Sequence, residues 1–209
     1  MTRRRHPRPP RRQSAPRRAA GRLRIIGGEH RRRQLPVLDR PGLRPTPDRV
    51  RETLFNWLGG ALSGARVLDL FAGTGALGLE ALSRGARAAT FVEQDARVAD
   101  QLTRNLATLG IHDGTVVTGD ARAFLAGVPS PFTLAFLDPP FRQGLAAPCC
   151  EALETGWLTA EALIYLETET SLMPAVPPTW QLHREVRAGD STGRLYQRQA
   201  SASPDTDAC

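Results

Sequence analysis

The sequence contains no lysine: all 28 of its basic residues are arginine. Cysteine is scarce too, limited to Cys149, Cys150 and Cys209. An adjacent pair and a terminal residue make neither a metal-binding spacing nor a disulfide framework, so a reducing cytosol is expected. His6, His30, His112 and His183 are scattered without ligand spacing, and no metal is expected. No run approaches the roughly 18 apolar residues of a membrane span. The first residues carry charge without an apolar stretch, which argues against a secretory signal. Four prolines within residues 1–20 argue against an amphipathic targeting helix there.

What is present is divided unevenly. Residues 1–51 hold 17 arginines against Glu29, Asp39 and Asp48, a balance of +14, whereas residues 52–209 carry −7. A basic arm on a mildly acidic body suits a phosphate-rich partner, since each neutralised phosphate releases counterions. Residues 1–22 are low in complexity and have almost nothing to bury, so an unstructured tail is expected, with a second at 200–209. Between them the reading places a strand–helix extension over 23–62 and one larger domain over 63–199.

In the extension, short strands are expected near Leu23–Ile26 and Arg33–Val37. A helix should follow, capped by Thr46, with Pro47 in its first position and an apolar stripe of Val50, Leu54, Phe55, Trp57 and Leu58. From Ala65 strands and helices alternate. Strands are predicted at 65–71, 88–93, 115–119, 132–138 and 162–169, with helices at 76–85, 96–109 and within 144–158. A hairpin over 181–187 and 193–199 closes the chain. This order predicts an α/β, Rossmann-like fold with a mostly parallel seven-stranded sheet and an antiparallel C-terminal hairpin.

Asp69, Phe71, Gly73, Gly75 and Gly78 lie in a glycine loop between a strand and a helix, and Glu93 ends the next strand. Glycines there allow a sharp turn and close ligand approach, and a carboxylate at the second strand tip can hold ribose hydroxyls. That much would also fit a nicotinamide enzyme. Asp69, however, places an acid where a pyrophosphate would be repelled, and Asp120 with Ala121 follows the third strand, where an adenine edge would lie. A ligand with ammonium, ribose and adenine but no phosphate suits these acids, and S-adenosylmethionine is such a ligand.

Asp138, Pro139, Pro140 and Phe141 close the fourth strand. This D-P-P-F stretch resembles the signature of methyltransferases that act on exocyclic amino groups. A carboxylate and a backbone carbonyl can accept the two N–H bonds of a planar amine, and the phenylalanine offers a face for a flipped base. Adenine N6 and guanine N2 fit this geometry equally well, so a DNA adenine methyltransferase and a non-catalytic assembly factor stay open at this level.

The flanks carry a closer likeness. Arg24 to Gly28, Leu43 to Thr46, Asp48 to Asn56, the glycine loop, the proline turn and Arg194 to Arg198 together resemble the RsmD family, from about Leu23 to Gln199. The resemblance implies a class I S-adenosylmethionine methyltransferase acting on guanine N2 in 16S rRNA, within the small subunit or a late assembly intermediate. It further implies a monomer in the bacterial cytoplasm. Candidate RNA contacts are Arg31, Arg33, Arg44 and Arg51. At His30, Arg32 and Gln34 the sequence departs from the family pattern, and those three residues inherit no role. Cys149, Cys150, Trp57, Trp157 and Trp180 read as packing residues.

Overall fold

The computed structural model describes residues 21–40 and 46–200. Most of the two tails, and Arg44, lie outside that range. An antiparallel pair, β1 (Arg22–Arg24) and β2 (Gln34–Pro36), precedes helix α1 (Asp48–Leu58). Pro47, not Thr46, is the N-cap of α1, and no side chain caps it. The proline fixes the entry φ but carries no side-chain acceptor, so the first amides of the helix have no side-chain cap.

The main sheet is built from β3 (Arg66–Asp69), β4 (Ala88–Glu93), β5 (Gly114–Thr118), β6 (Phe132–Leu137), β7 (Leu158–Glu169), β8 (Trp180–Ala188) and β9 (Ser191–Arg198). Its seven strands run in the order β5-β4-β3-β6-β7-β9-β8. The first five of these positions are parallel, and β9 is antiparallel to both β7 and β8. The C-terminal hairpin thus docks through its second strand, with the short Gly189-Asp190 connection making β8 and β9 antiparallel. The parallel strands are near-continuous apolar runs because helices cover both faces. Strand β7 starts four residues earlier than expected, because Leu158 pairs with Phe132 across a bulge.

The helices are α2 (Ala76–Ser83), α3 (Ala96–Leu109), α4 (Ala121–Leu125) and α5 (Ala146–Leu153). Local chemistry sets the bounds of α3: Asp95 caps it through the Arg97 amide, and Gly110 ends it at φ 71°. One core lies between the sheet and α1–α3 and includes Leu23, Ile25, Leu35 and Val37 of the N-terminal hairpin. The other lies under α4 and α5, where Cys149, Cys150 and Trp157 are buried. Burial pushes the Cys149 thiol up to about 11 and the Cys150 thiol to about 12, so both pack as neutral side chains.

The hairpin is locked to the domain by one buried acid. Glu80 of α2 is fully buried and accepts the Ile26 and Gly27 amides, each at 2.7 Å, and Arg84 Nε at 2.7 Å. Arg51 stands 3.7 Å from the same carboxylate. Its Nη2 donates to Asp48 at 2.6 Å and to the Arg24 carbonyl at 2.9 Å. At 1% exposure Arg51 offers no surface to RNA, which corrects the expectation for this residue. Its spacing with Leu54, Phe55 and Leu58 placed it on the buried helix face.

Candidate active site

The parallel strands all end on one side of the sheet, and a cleft of about 590 Å3 opens there. The order reverses between β3 and β6, the position where open α/β sheets bind ligands. Phe71, Gly73, Glu93, Asp120, Ala121, Asp138 and Pro140 line it, all of them anticipated. Asp69 and Gly75 are not on its wall. They shape the loop from behind.

Asp69 is buried, and its Oδ2 accepts the Gly78 amide at 2.9 Å, tying the end of β3 to the first turn of α2. Burial pushes its carboxyl up to about 7; the Gly78 amide opposes this and the Glu93 charge adds to it. Gly75 has φ 76°, and a Cβ there would fall 2.4 Å from Leu102 Cδ1, so only glycine lets α3 approach the loop. Glu93 Oε2 accepts the Gly73 amide and Oε1 the Asp95 amide, both at 2.8 Å. Asp120 Oδ1 accepts the Arg122 and Ala123 amides at 2.9 and 3.0 Å, which fixes the start of α4.

A second cleft of about 1000 Å3 adjoins the first, and Pro140 and Leu145 line both. Pro139 and Phe141 face this second space, with Glu169 on its far wall. The proline turn divides the two clefts. Phe141 is 41% exposed, an unusual state for a phenylalanine and one suited to stacking. The turn ends at Arg142, a non-glycine residue with φ 61°, whose amide donates to Glu169 Oε1. A left-handed arginine stores strain, and the Glu169 bond holds it. The D-P-P-F pattern did not disclose this anchor, nor Gln143 and Leu145 on the cleft wall.

Asp138 accepts no hydrogen bond from any described residue. Burial, then the charges of Glu167 and Asp69, raise its carboxyl well above the usual range. Such a group is a ready acceptor for a proton and for N–H donors.

The described candidate RNA contacts do not gather here. Arg33 Nη2 donates to the Thr108 carbonyl at 3.2 Å in the last turn of α3, and the Glu29 backbone amide donates to the carbonyl of Ser83, which ends α2. Helix C-termini in βαβ units lie beside strand starts, so Arg31 and Arg33 sit at the end of the sheet away from the clefts. Arg31 is exposed there.

A family model described as conserved hypothetical protein 95 matches residues 23–197. The chain is 54% identical over 190 residues to ribosomal RNA small subunit methyltransferase D of Escherichia coli K12, covering 90% of this chain and 96% of that one. The protein of the same name from Haemophilus influenzae is 46% identical over 184 residues, covering 86% and 95%. The solved structure of yhhF from Escherichia coli superposes with a TM-score of 0.82 at 52% identity, covering 87% of this chain and all of that one. With the seven-stranded sheet, the glycine loop and the proline turn in place, the chain belongs to the RsmD family of methyltransferases.

Proposed function

We propose that this protein methylates the exocyclic N2 of a guanine in 16S rRNA of the small ribosomal subunit, using S-adenosylmethionine. The observation that carries this reading is the position of Asp138. It lies on the wall of one cleft, beside a proline turn that borders a second and presents an exposed phenylalanine to it.

The residues fit the proposed methyl donor. Glu93 spends its oxygens on the Gly73 and Asp95 amides. The glycine-loop amide that would meet a pyrophosphate in a dinucleotide enzyme already faces a carboxylate, which repels phosphate. Lone pairs left on Glu93 and Asp120 suit ribose hydroxyls and an adenine amine.

When bound, S-adenosylmethionine supplies an electrophilic sulfonium methyl, and transfer forms the N–C bond as the S–C bond breaks with its electron pair kept by sulfur. Asp138 and the Pro139 carbonyl hold the two N2–H bonds and aim the nitrogen. Asp138 then takes the proton that the methylated nitrogen sheds and releases it to solvent. Phe141 stacks on the base, worth about 1–3 kcal/mol. Holding donor and acceptor in line contributes more, about 7–11 kcal/mol.

The relatives named as ribosomal RNA methyltransferases favour rRNA over DNA adenine, and the unpartnered Asp138 favours an enzyme over a bare assembly factor. The test is mass mapping of modified nucleosides in 16S rRNA from a deletion strain. One N2-methylguanosine should disappear and return when the purified protein acts on the isolated subunits. An unchanged map would overturn the reading.

A further inference from the structure

Among the described residues, buried and half-buried acids are held by a cation or by backbone amides, with two exceptions. Glu80 has Arg84 and two amides, Glu154 has Arg198 and Trp180, and Asp48 has Arg24 and Arg51. The exceptions are Asp138 and Glu167. Neither forms an ion pair within the described residues. Glu167 is only 6% exposed, yet it accepts a single bond, from the Tyr165 hydroxyl to Oε2 at 3.1 Å. Its Oε1 has no donor among the described residues. That oxygen is not among the described side-chain atoms sealed from solvent without a partner, so it is open to a donor from outside the chain.

The register brings the two acids together. Strands β6 and β7 pair Phe136 with Tyr165 and Leu137 with Leu166, so the next positions are Asp138 and Glu167. They lie about one strand spacing, roughly 4.8 Å, apart at the backbone. By the period of two they share a face with Phe136 and Tyr165, whose rings meet edge to face at 6.5 Å. Tyr165 is itself fixed from behind, since a Cβ on Gly193 would fall 2.1 Å from its hydroxyl oxygen.

We propose that Glu167 is the residue that selects guanine: its Oε1 accepts the guanine N1–H while Asp138 accepts an N2–H. Guanine presents these donors side by side on its Watson–Crick edge. Adenine presents an N6 donor beside the N1 lone pair, which a carboxylate repels. The proline turn alone accepts either base; with Glu167 it does not. A site built around a hydrogen bond rejects an analogue lacking the donor far more strongly than shape alone can. Tyr165 is the positioning residue, orienting Glu167 through Oε2. The inference rests on the guanine-N2 reading above.

The test uses small-subunit particles reconstituted around 16S rRNA carrying guanine or 2-aminopurine at the acceptor position. Both bases have the same N2 amine, but 2-aminopurine has a lone pair where guanine has N1–H. The protein should favour guanine in kcat/KM by at least about a hundredfold. In Glu167→Gln the side-chain amide can donate to that lone pair, so guanine should lose and 2-aminopurine should gain, narrowing the ratio at least about thirtyfold. Tyr165→Phe keeps the carboxylate but frees its orientation, and should narrow the ratio by less. A ratio unchanged in Glu167→Gln, whether both rates fall together or neither moves, overturns the assignment and leaves the proposed function standing. Failure of the unaltered protein to methylate guanine particles overturns both.

Discussion

Glu93 Oε2 accepts the Gly73 amide at 2.8 Å, so the tip of β4 holds the glycine loop that follows β3. The same carboxylate holds the Asp95 amide at the cap of α3. One side chain thus positions both walls of the cleft. Glu93→Gln removes the charge and, with one oxygen left, gives up one of these two amide bonds. S-adenosylmethionine affinity should fall at least about tenfold, or about 1.4 kcal/mol, in a calorimetric titration. Unchanged affinity would show that the ribose is held elsewhere.

Asp138→Ala should separate binding from chemistry. The cleft wall retains Glu93, Asp120 and the loop, so donor affinity should stay within about threefold. Methyl transfer should drop at least about a hundredfold, measured with labelled donor on small subunits. A mutant working at the normal rate would remove Asp138 from the mechanism.

The environment of Asp138 also sets a pH dependence. Burial raises its carboxyl, then Glu167 on β7 and Asp69 on β3, with Tyr165 on β7 the other titratable group near the pair. The ionised form accepts the proton, so kcat/KM should fall as pH drops through the raised pKa, on a limb above the ordinary value of about 4. Glu167→Gln removes a like charge and should move that limb to lower pH. A limb that stays in place in this variant would show that the two acids are not coupled.

Asp69 couples pH to stability. Its folded pKa of about 7 lies above the unfolded value of 3.8, so the folded state binds the extra proton between these limits. Its contribution is fully present below about 4 and is lost as pH rises through about 7, with a span of at most about 4 kcal/mol. Asp69→Asn can still accept the Gly78 amide without ionising. Urea unfolding at pH 4.5 and 7.5 should show a smaller difference in this variant than in the unaltered protein.

Glu80→Ala should loosen the N-terminal hairpin. It strips partners from Arg51, Arg84 and two backbone amides in a buried setting. Stability should fall by about 3–5 kcal/mol in chemical denaturation. A loss under about 1 kcal/mol would mean that the hairpin is held by its apolar contacts alone.

Where structure follows from neighbours along the chain, the sequence was sufficient. The strand β4 and the helix α3 fall on their expected residues, because caps, glycines and apolar runs act locally. The alternation of strands and helices determined the parallel sheet, and D-P-P-F with the glycine loop marked the chemistry. Thr46 shows the limit of even local rules, since the helix takes Pro47 as its N-cap and leaves the Thr46 hydroxyl outside the capping position. Arg51 was misread because charge alone does not give direction, although its helical spacing with Leu54, Phe55 and Leu58 did.

The tertiary structure decided what depends on pairing between distant segments. Of the candidate arginines, the fold makes Arg51 a buried neighbour of Glu80 and sets Arg31 and Arg33 at the far end of the sheet. Of the acids in the stretch Glu167-Thr168-Glu169, the sequence gives no reason to prefer either as the neighbour of Asp138. The register of β6 against β7 makes that choice, placing Glu167 beside Asp138, while Glu169 anchors the Arg142 turn. A register one residue different would turn the other face toward the site, and no local pattern encodes it. The sequence determined that an amino group could be methylated here; the strand register placed a second acid where it can recognise which base carries that group.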